Sequence, residues 1–255
     1  MTNKDILDNR WSIWIDVEGF STLYTTNSKQ AKLNLGFLME ALYKVGSLVF
    51  NRESERLFIH QFGDGFAVMS DFHEDVPTRP LTICIAIMRH LLKKGVVTKA
   101  AISAGDFADI SGCYPKEVMN ASDDGRHIKI GEGLMTIIPV MGMALISAHK
   151  LADTDSGALL LLDSLAFSKI PEGVIFRHET TAIVDWVHST VAGIEEICEK
   201  SGLENITAMD AETMLASYIE ANKDMLSKKW IERTIETQSI KPLQRRLSTY
   251  ETSRI

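Results

Sequence analysis

Trp11-Ser12-Ile13-Trp14-Ile15-Asp16-Val17-Glu18-Gly19-Phe20-Ser21 decides how the rest of the chain is read. Ile13 and Ile15 alternate with Ser12 and Trp14, the period of a strand. Asp16 then takes the next inward slot, followed at once by Glu18 and Gly19. A carboxylate at the end of an apolar strand is costly to bury without a cation or a good donor. Gly19 lets the backbone turn sharply and approach a ligand closely. The stretch therefore predicts strand, carboxylate, tight turn and helix. An aspartate that only caps the turn is the simpler alternative.

A second stretch, Leu57-Phe-Ile-His-Gln-Phe-Gly63-Asp64-Gly65-Phe-Ala-Val-Met69, places two short strands around Gly-Asp-Gly, a hairpin signal. A generic hairpin leaves Asp64 in solvent. A central strand beside this hairpin can instead bring Asp16 and Asp64 to one edge of a sheet. Two carboxylates at one point repel unless a divalent cation sits between them. Hard oxygen ligands with no histidine cluster suit Mg²⁺ or Mn²⁺ rather than zinc.

Composition narrows the class. The 255 residues suffice for one large domain, or a domain with an extension. The 45% hydrophobic and 24% charged content is that of an ordinary soluble globular protein. A net charge of −7 argues against a general nucleic-acid binder. Met1-Thr-Asn-Lys-Asp is polar and predicts no secretory signal. The apolar runs Thr82 to Met88 and Ala158 to Leu162 are too short for a membrane span. Cys84, Cys113 and Cys198 are odd in number and lack C-x-x-C spacing, which points to a reducing cytoplasm and away from zinc or a disulfide frame.

In chain order, Ala31, Leu35, Leu38, Leu42, Val45 and Val49 predict a helix over Lys29 to Val49, with Asn27 or Ser28 as cap. A start nearer Glu18 would turn free N–H groups toward the strand end, a place for phosphate oxygens. Pro77 and Pro80 mark a loop before a helix from Leu81 to Lys94, closed by Gly95. Val96 to Phe107 alternates as a central strand with small residues packed against something close. Ile110 to His127 reads as a loop, and Ile128 to Glu132 as a short strand or turn. Pro139 suits the first position of a helix to Asp153. Leu159 to Leu162 and Val174 to Val187 read as strands. From Val191 the pattern is helical, with Asp210 as a cap, and predicts a pair of helices packed on the domain or on a second subunit. The fold class is α+β: an antiparallel sheet with helices on one face, plus a C-terminal helical extension. The divisions are residues 1–187, 188–240, and a polar, disordered tail over 241–255.

These residues resemble the class III nucleotidyl cyclases over roughly Ser12 to Val187. The specific part is Asp16-Val-Glu-Gly-Phe-Ser21 with Phe62-Gly-Asp64-Gly-Phe66. Lys99-Ala-Ala-Ile-Ser-Ala-Gly105 and Gly142-Met-Ala-Leu-Ile-Ser-Ala-His-Lys-Leu151 are weaker matches. The resemblance implies a ferredoxin-like, palm-type sheet. It makes Asp16 and Asp64 metal-binding and catalytic, with the Val17 carbonyl helping one of two Mg²⁺ or Mn²⁺ ions. Backbone amides of Gly19, Phe20 and Ser21 would cradle the β- and γ-phosphates. Departures matter as much. The family's purine-reading lysine falls on His60 and its base-reading acid on Pro139. Its transition-state asparagine falls on Ile146 and its arginine on Lys150, which keeps the charge but loses the bidentate fork. Lys150 is thus a catalytic candidate, and His60 and Lys99 are base-binding candidates, Lys99 alternatively facing the α-phosphoryl group.

Loss of both purine readers is similar to the bacterial pyrimidine cyclases of Pycsar anti-phage systems. That implies conversion of UTP to cyclic UMP and pyrophosphate in the cytoplasm, by a homodimer with sites at its interface. The product would be read by a separate effector protein, with no membrane or nucleic-acid partner. A cytidylate cyclase, an adenylate cyclase with a divergent base pocket, and a non-catalytic nucleotide-sensing module stay open.

Overall fold

A computed structural model describes residues 10–122, 124–178 and 181–240. Its centre is β1 (Arg10–Val17), which pairs antiparallel with β3 (Gly65–His73) on one side and with β4 (Thr98–Gly105) on the other. Strand β2 (Leu57–Phe62) completes the expected hairpin with β3. Gly63, at φ +64°, supplies the turn.

Two helices follow β1 where a single one was expected. α1 (Phe20–Thr26) ends at Asn27, whose extended backbone breaks the run. The Asn27 side chain then accepts from the Gln30 amide at 3.1 Å and starts α2 (Ser28–Lys44). The helix runs on as one π-turn, Val45–Val49. α3 (Thr78–Lys93) begins three residues before the predicted start, with Pro80 inside its first turn, where no N–H is needed.

The order β1-α2-β2-β3-α3-β4, with strands lying β4-β1-β3-β2, is the β-α-β-β-α-β arrangement. Three more strands extend the sheet beyond β4. β9 (Leu160–Leu162) pairs parallel with β4; β11 (Ala182–Val184) and β10 (Phe176–His178) follow outward. The fold is α+β with a largely antiparallel seven-stranded sheet.

Both faces of that sheet carry helices, which corrects the one-face expectation. Trp11, Ile13, Ile15 and Val17 point into the main core against Leu38 and Leu42 of α2 and the apolar face of α3. Trp14, Ala67, Met69 and Ala101 face the other way, toward α5 (Met143–Ala152). Asp16 belongs by alternation to this second face, so its slot is not the one that continues Ile13 and Ile15. The reason for the second layer is the small-residue stripe Ala144, Ala148 and Ala152, all fully buried, which lets α5 settle on β4. At Gly105 a Cβ would lie 2.9 Å from the Ala144 nitrogen.

The α5 start also differs. The helix begins at Met143, not Pro139, because Asp106 reaches in from the end of β4. Its carboxylate accepts from the Met143 amide at 2.7 Å, and its carbonyl from the Ala144 amide at 3.3 Å. At Gly142 a Cβ would meet the Asp106 carbonyl at 2.3 Å. Gly142→Ala is expected to destabilise the protein by about 1–3 kcal/mol, by forcing this junction apart. Urea midpoints of the two proteins check it; an unchanged midpoint would mean the junction yields freely.

The segment read as a loop, Ile110 to His127, holds the short α4 (Lys116–Asn120), and β5 (Ala108–Asp109) lies just before it. β6 (His127–Ile130) and β7 (Gly133–Thr136) form a separate hairpin, and β8 (Val140–Met141) pairs with β5. Among the described residues three helices, rather than a pair, follow Val191: α6 (Ile194–Ser201), α7 (Ala208–Asn222) and α8 (Lys228–Thr237). Thr207, not Asp210, caps α7; it accepts from the Asp210 amide at 3.1 Å and donates to the Asp210 carboxylate at 2.7 Å. Ile197, Leu215, Ile219, Trp230 and Ile235 enter the main core.

Arg89 of α3 is buried at the seam between this core and the segment after β11. Its guanidinium donates to the carbonyls of Trp186 (3.1 Å), Val187 (2.9 Å) and Ser189 (2.7 Å). Cys84, Cys113 and Cys198 are unpaired. No helix among the described residues is long and apolar enough to cross a membrane. The predicted tail, 241–255, lies outside the described residues.

Candidate functional site

Strand pairing brings the two aspartates together. Asp16 faces Gly65 directly across β1 and β3, and Asp64 is the residue before it in the turn. The row at this end of the sheet runs Phe62, Gly65, Asp16, Lys99. Two residues inward, the row is His60, Ala67, Trp14, Ala101.

Trp14 holds Asp16 in place. Its indole N–H donates to Asp16 Oδ2 at 3.0 Å. The ring packs against Phe62 (5.8 Å between centroids) and edge-on to His149 of α5 (4.3 Å). The same ring explains the second glycine of the hairpin, since a Cβ on Gly65 would fall 2.5 Å from it. Gly-Asp-Gly is therefore both a turn and a slot for the indole that orients the neighbouring acid.

Burial pushes the Asp16 carboxyl above the usual aspartate range. Lys99 and the Trp14 donor oppose this, while Asp64 and Asp153 add to it. Asp16 Oδ1 and the Asp64 carboxylate have no protein partner among the described residues. A buried acid facing a second acid, with oxygens unpaired, has the donor set that a hard divalent cation requires. No cluster of three or more His, Cys, Asp or Glu suited to a metal occurs among the described residues. Any ion here would be held by the two carboxylates and a backbone carbonyl, and that set fits Mg²⁺ or Mn²⁺ rather than zinc. The Val17 side chain is buried in the core, which leaves only its carbonyl for such a role.

Gly19, at φ +71°, makes the predicted tight turn and precedes α1; Phe20 and Ser21 form the first turn of that helix. Phe20 also packs against the core. His60 lies on the Trp14 face. Its Nε2 is buried without a partner among the described residues, and burial holds the imidazole below its ordinary pKa, with Arg126 adding to the effect. A neutral ring with an unpaired nitrogen is chemically able to meet a polar edge. Lys150 is exposed on α5 and makes no ion pair or hydrogen bond with Asp16 or Asp64. One chain therefore assembles the aspartates and leaves Lys150 apart from them.

Lys99 sits among acids. Its Nζ is 3.7 Å from Glu18 Oε2 and 3.5 Å from the Asp155 carbonyl. Glu18 Oε1 accepts from Trp230 Nε1 at 3.0 Å, and Asp155 accepts from Arg233 Nε at 2.6 Å. Trp14 and Glu18 stand in the opening stretch without an assigned role, and Asp155, Trp230 and Arg233 join this end of the sheet from outside it. Trp14 had a signal, an indole two residues before the acid on the same face. Trp230 and Arg233 had none, being remote in sequence.

A cavity of about 750 Å³, lined by Arg52, Glu74, Arg79 and Lys200, is at the opposite end of the sheet. A cavity of about 300 Å³ lies beside Glu18, Gly19, Asn222 and Trp230. Neither family profiles nor curated proteins match this chain.

Proposed function

We propose that the protein is a class III-type nucleotidyl cyclase acting on a pyrimidine nucleoside triphosphate, with UTP favoured and cyclic UMP and pyrophosphate as products. The observation that carries this is the pairing of Asp16 with Gly65, which sets Asp16 beside Asp64 at the end of a β-α-β-β-α-β sheet. Asp16, Asp64 and the Val17 carbonyl would hold two divalent ions, which supply charge neutralisation and acidify the ribose 3′-hydroxyl.

The chain's own groups do the positioning. Trp14 fixes the Asp16 carboxylate through its N–H. The amides of Gly19, Phe20 and Ser21 are assigned to the β- and γ-phosphates, where backbone donors suit anionic oxygens. His60, neutral and on the Trp14 face, is assigned to the base edge. Catalysis of this kind asks for placement and charge rather than a protein nucleophile. Lys150 would offset charge on the α-phosphoryl group from a second copy of the chain, since it makes no ion pair or hydrogen bond with the aspartates of its own chain. Exposed Ile130, Leu134, Met141 and Met143 support a homodimer. A role as a second-messenger synthase in anti-phage defence, with a separate effector, follows from the same resemblance.

A second reading, a nucleotide-sensing module without turnover, draws on Ile146, an apolar residue where the resemblance implies a transition-state asparagine. Incubation of the purified protein with Mn²⁺ and each of ATP, GTP, CTP and UTP, with products identified by mass, separates the two. The expected product is a cyclic pyrimidine monophosphate. Cyclic AMP would keep the chemistry and overturn the base assignment. Nucleotide binding without any product would overturn the enzyme reading.

A further inference from the structure

Lys99 faces Asp16 directly across β1 and β4. Opposite charges in such a cross-strand position ordinarily pair. Here the ammonium favours the Asp16 charge without contact: among the described residues no ion pair joins Lys99 to Asp16. The ammonium is drawn instead to Glu18 at 3.7 Å and to the Asp155 carbonyl at 3.5 Å.

Both of those acceptors are held by α8. Trp230 is buried, packs against Tyr218 (6.4 Å between centroids) and donates to Glu18 at 3.0 Å. Its own amide is fixed by the Ser227 cap at 3.2 Å. One turn on, Arg233 binds the Asp155 carboxylate at 2.6 Å, and Lys229 stands 3.5 Å from it. An indole has one donor and a rigid ring, so its bond to Glu18 sets the direction of that carboxylate. A Glu18 freed from Trp230 would no longer present an oxygen at the place where Lys99 now ends. The lysine stem already lies in register with Asp16, so the ammonium would then pair with it.

We propose that Trp230 is a positioning residue for Asp16: by anchoring Glu18 it keeps the Lys99 ammonium off the aspartate and leaves that carboxylate open to a divalent cation. The inference rests on the reading of Asp16 and Asp64 as a cation-binding pair. It explains why a third acid, Glu18, stands at the strand end and is spent on protein contacts. It also gives the C-terminal helix a part in the chemistry without touching substrate.

The test is Mn²⁺ binding by the full chain, read as loss of the free-ion signal in electron paramagnetic resonance, with thermal melts as a folding control. Trp230→Phe and Glu18→Gln are each expected to weaken Mn²⁺ binding about tenfold, the low end for loss of a group supporting a metal ligand. In turnover, Trp230→Phe should raise the Mn²⁺ concentration for half-maximal rate far more than it lowers kcat at saturating metal. The decisive protein is Glu18→Gln combined with Lys99→Met, in which removal of the competing cation should restore binding. A merely structural role for α8 predicts no such rescue. Unchanged binding in Glu18→Gln, or no recovery in the double variant, overturns the proposal while the cation pair stands. Absence of Asp16-dependent binding in the unaltered protein, judged against Asp16→Asn, overturns the cation pair and this proposal with it.

Discussion

Asp16→Asn is expected to abolish nucleotide turnover, by more than about a hundredfold, while leaving the protein at least as stable as before. The two halves of that result come from one feature. Asp16 is a buried carboxylate whose burial pushes its pKa up, and two further acids, Asp64 and Asp153, push it the same way. Holding the charge on this group in the folded state therefore carries a cost. The sign is that of a raised acid: protonation favours the folded chain, and stability falls as pH climbs past the unfolded pKa toward the folded one. An asparagine carries no charge to desolvate and still accepts from Trp14. Removing Asp16 thus removes a folding penalty together with a proposed cation ligand. Mn²⁺ should raise the melting temperature of the unaltered protein and not that of Asp16→Asn, because only a ligand that binds the folded state stabilises it. Thermal melts with and without Mn²⁺, beside a product assay, read all of this. Retained turnover in Asp16→Asn would end the two-carboxylate account.

Arg89→Met should show the reverse pattern, a large loss of stability with chemistry kept below the unfolding transition. Arg89 satisfies three carbonyls, those of Trp186, Val187 and Ser189, at the seam of α3 with the segment that leads to the C-terminal helices. Methionine fills much of the volume and donates nothing. The expected loss is about 3–5 kcal/mol, since buried acceptors left bare forfeit their desolvation cost in full. At roughly 2–4 °C per kcal/mol for a chain of this size, the midpoint should fall by about 10 °C. Arg89→Lys should recover only part, because an ammonium cannot span acceptors that a planar fork reaches together. A loss under about 1 kcal/mol would mean that water replaces the guanidinium without penalty.

Much of the fold was legible where local chemistry decides it. The alternation from Trp11 to Ile15 located β1, and Gly63-Asp64-Gly65 located the β2–β3 turn. Those two leave the adjacency of Asp16 and Asp64 open beside a hairpin with Asp64 in solvent, and the pairing of β1 with β3 brings it about. What escaped has physical causes of longer range. Pro139 suits a first helical turn by local preference, whereas Asp106, just past the end of β4, fixes the start of α5 at Met143. Asn27 was recognised as a cap, yet the residues before it also turn helically, and the cap separates two helices. The second helical layer depends on Ala144, Ala148 and Ala152 meeting Ala101 and Gly105. Small residues bury little area and so leave a weak mark in a hydrophobic pattern. Asp16 shares the parity of Trp14, so alternation puts it on the second face and not in line with Ile13 and Ile15.

The hydrogen bond from Trp230 to Glu18 closes a separation of 212 residues. During synthesis, at about 5–20 residues per second, Glu18 therefore waits about 10–40 s for its donor. In that interval β1 and its hairpin partner can already be paired, and Asp16 can already stand beside Asp64. The nascent chain would hold the aspartates before it holds the helix that keeps Lys99 away from one of them. On the proposed role of Trp230, a protein assembled in this sequence would reach its full affinity for a divalent cation only as α8 docks.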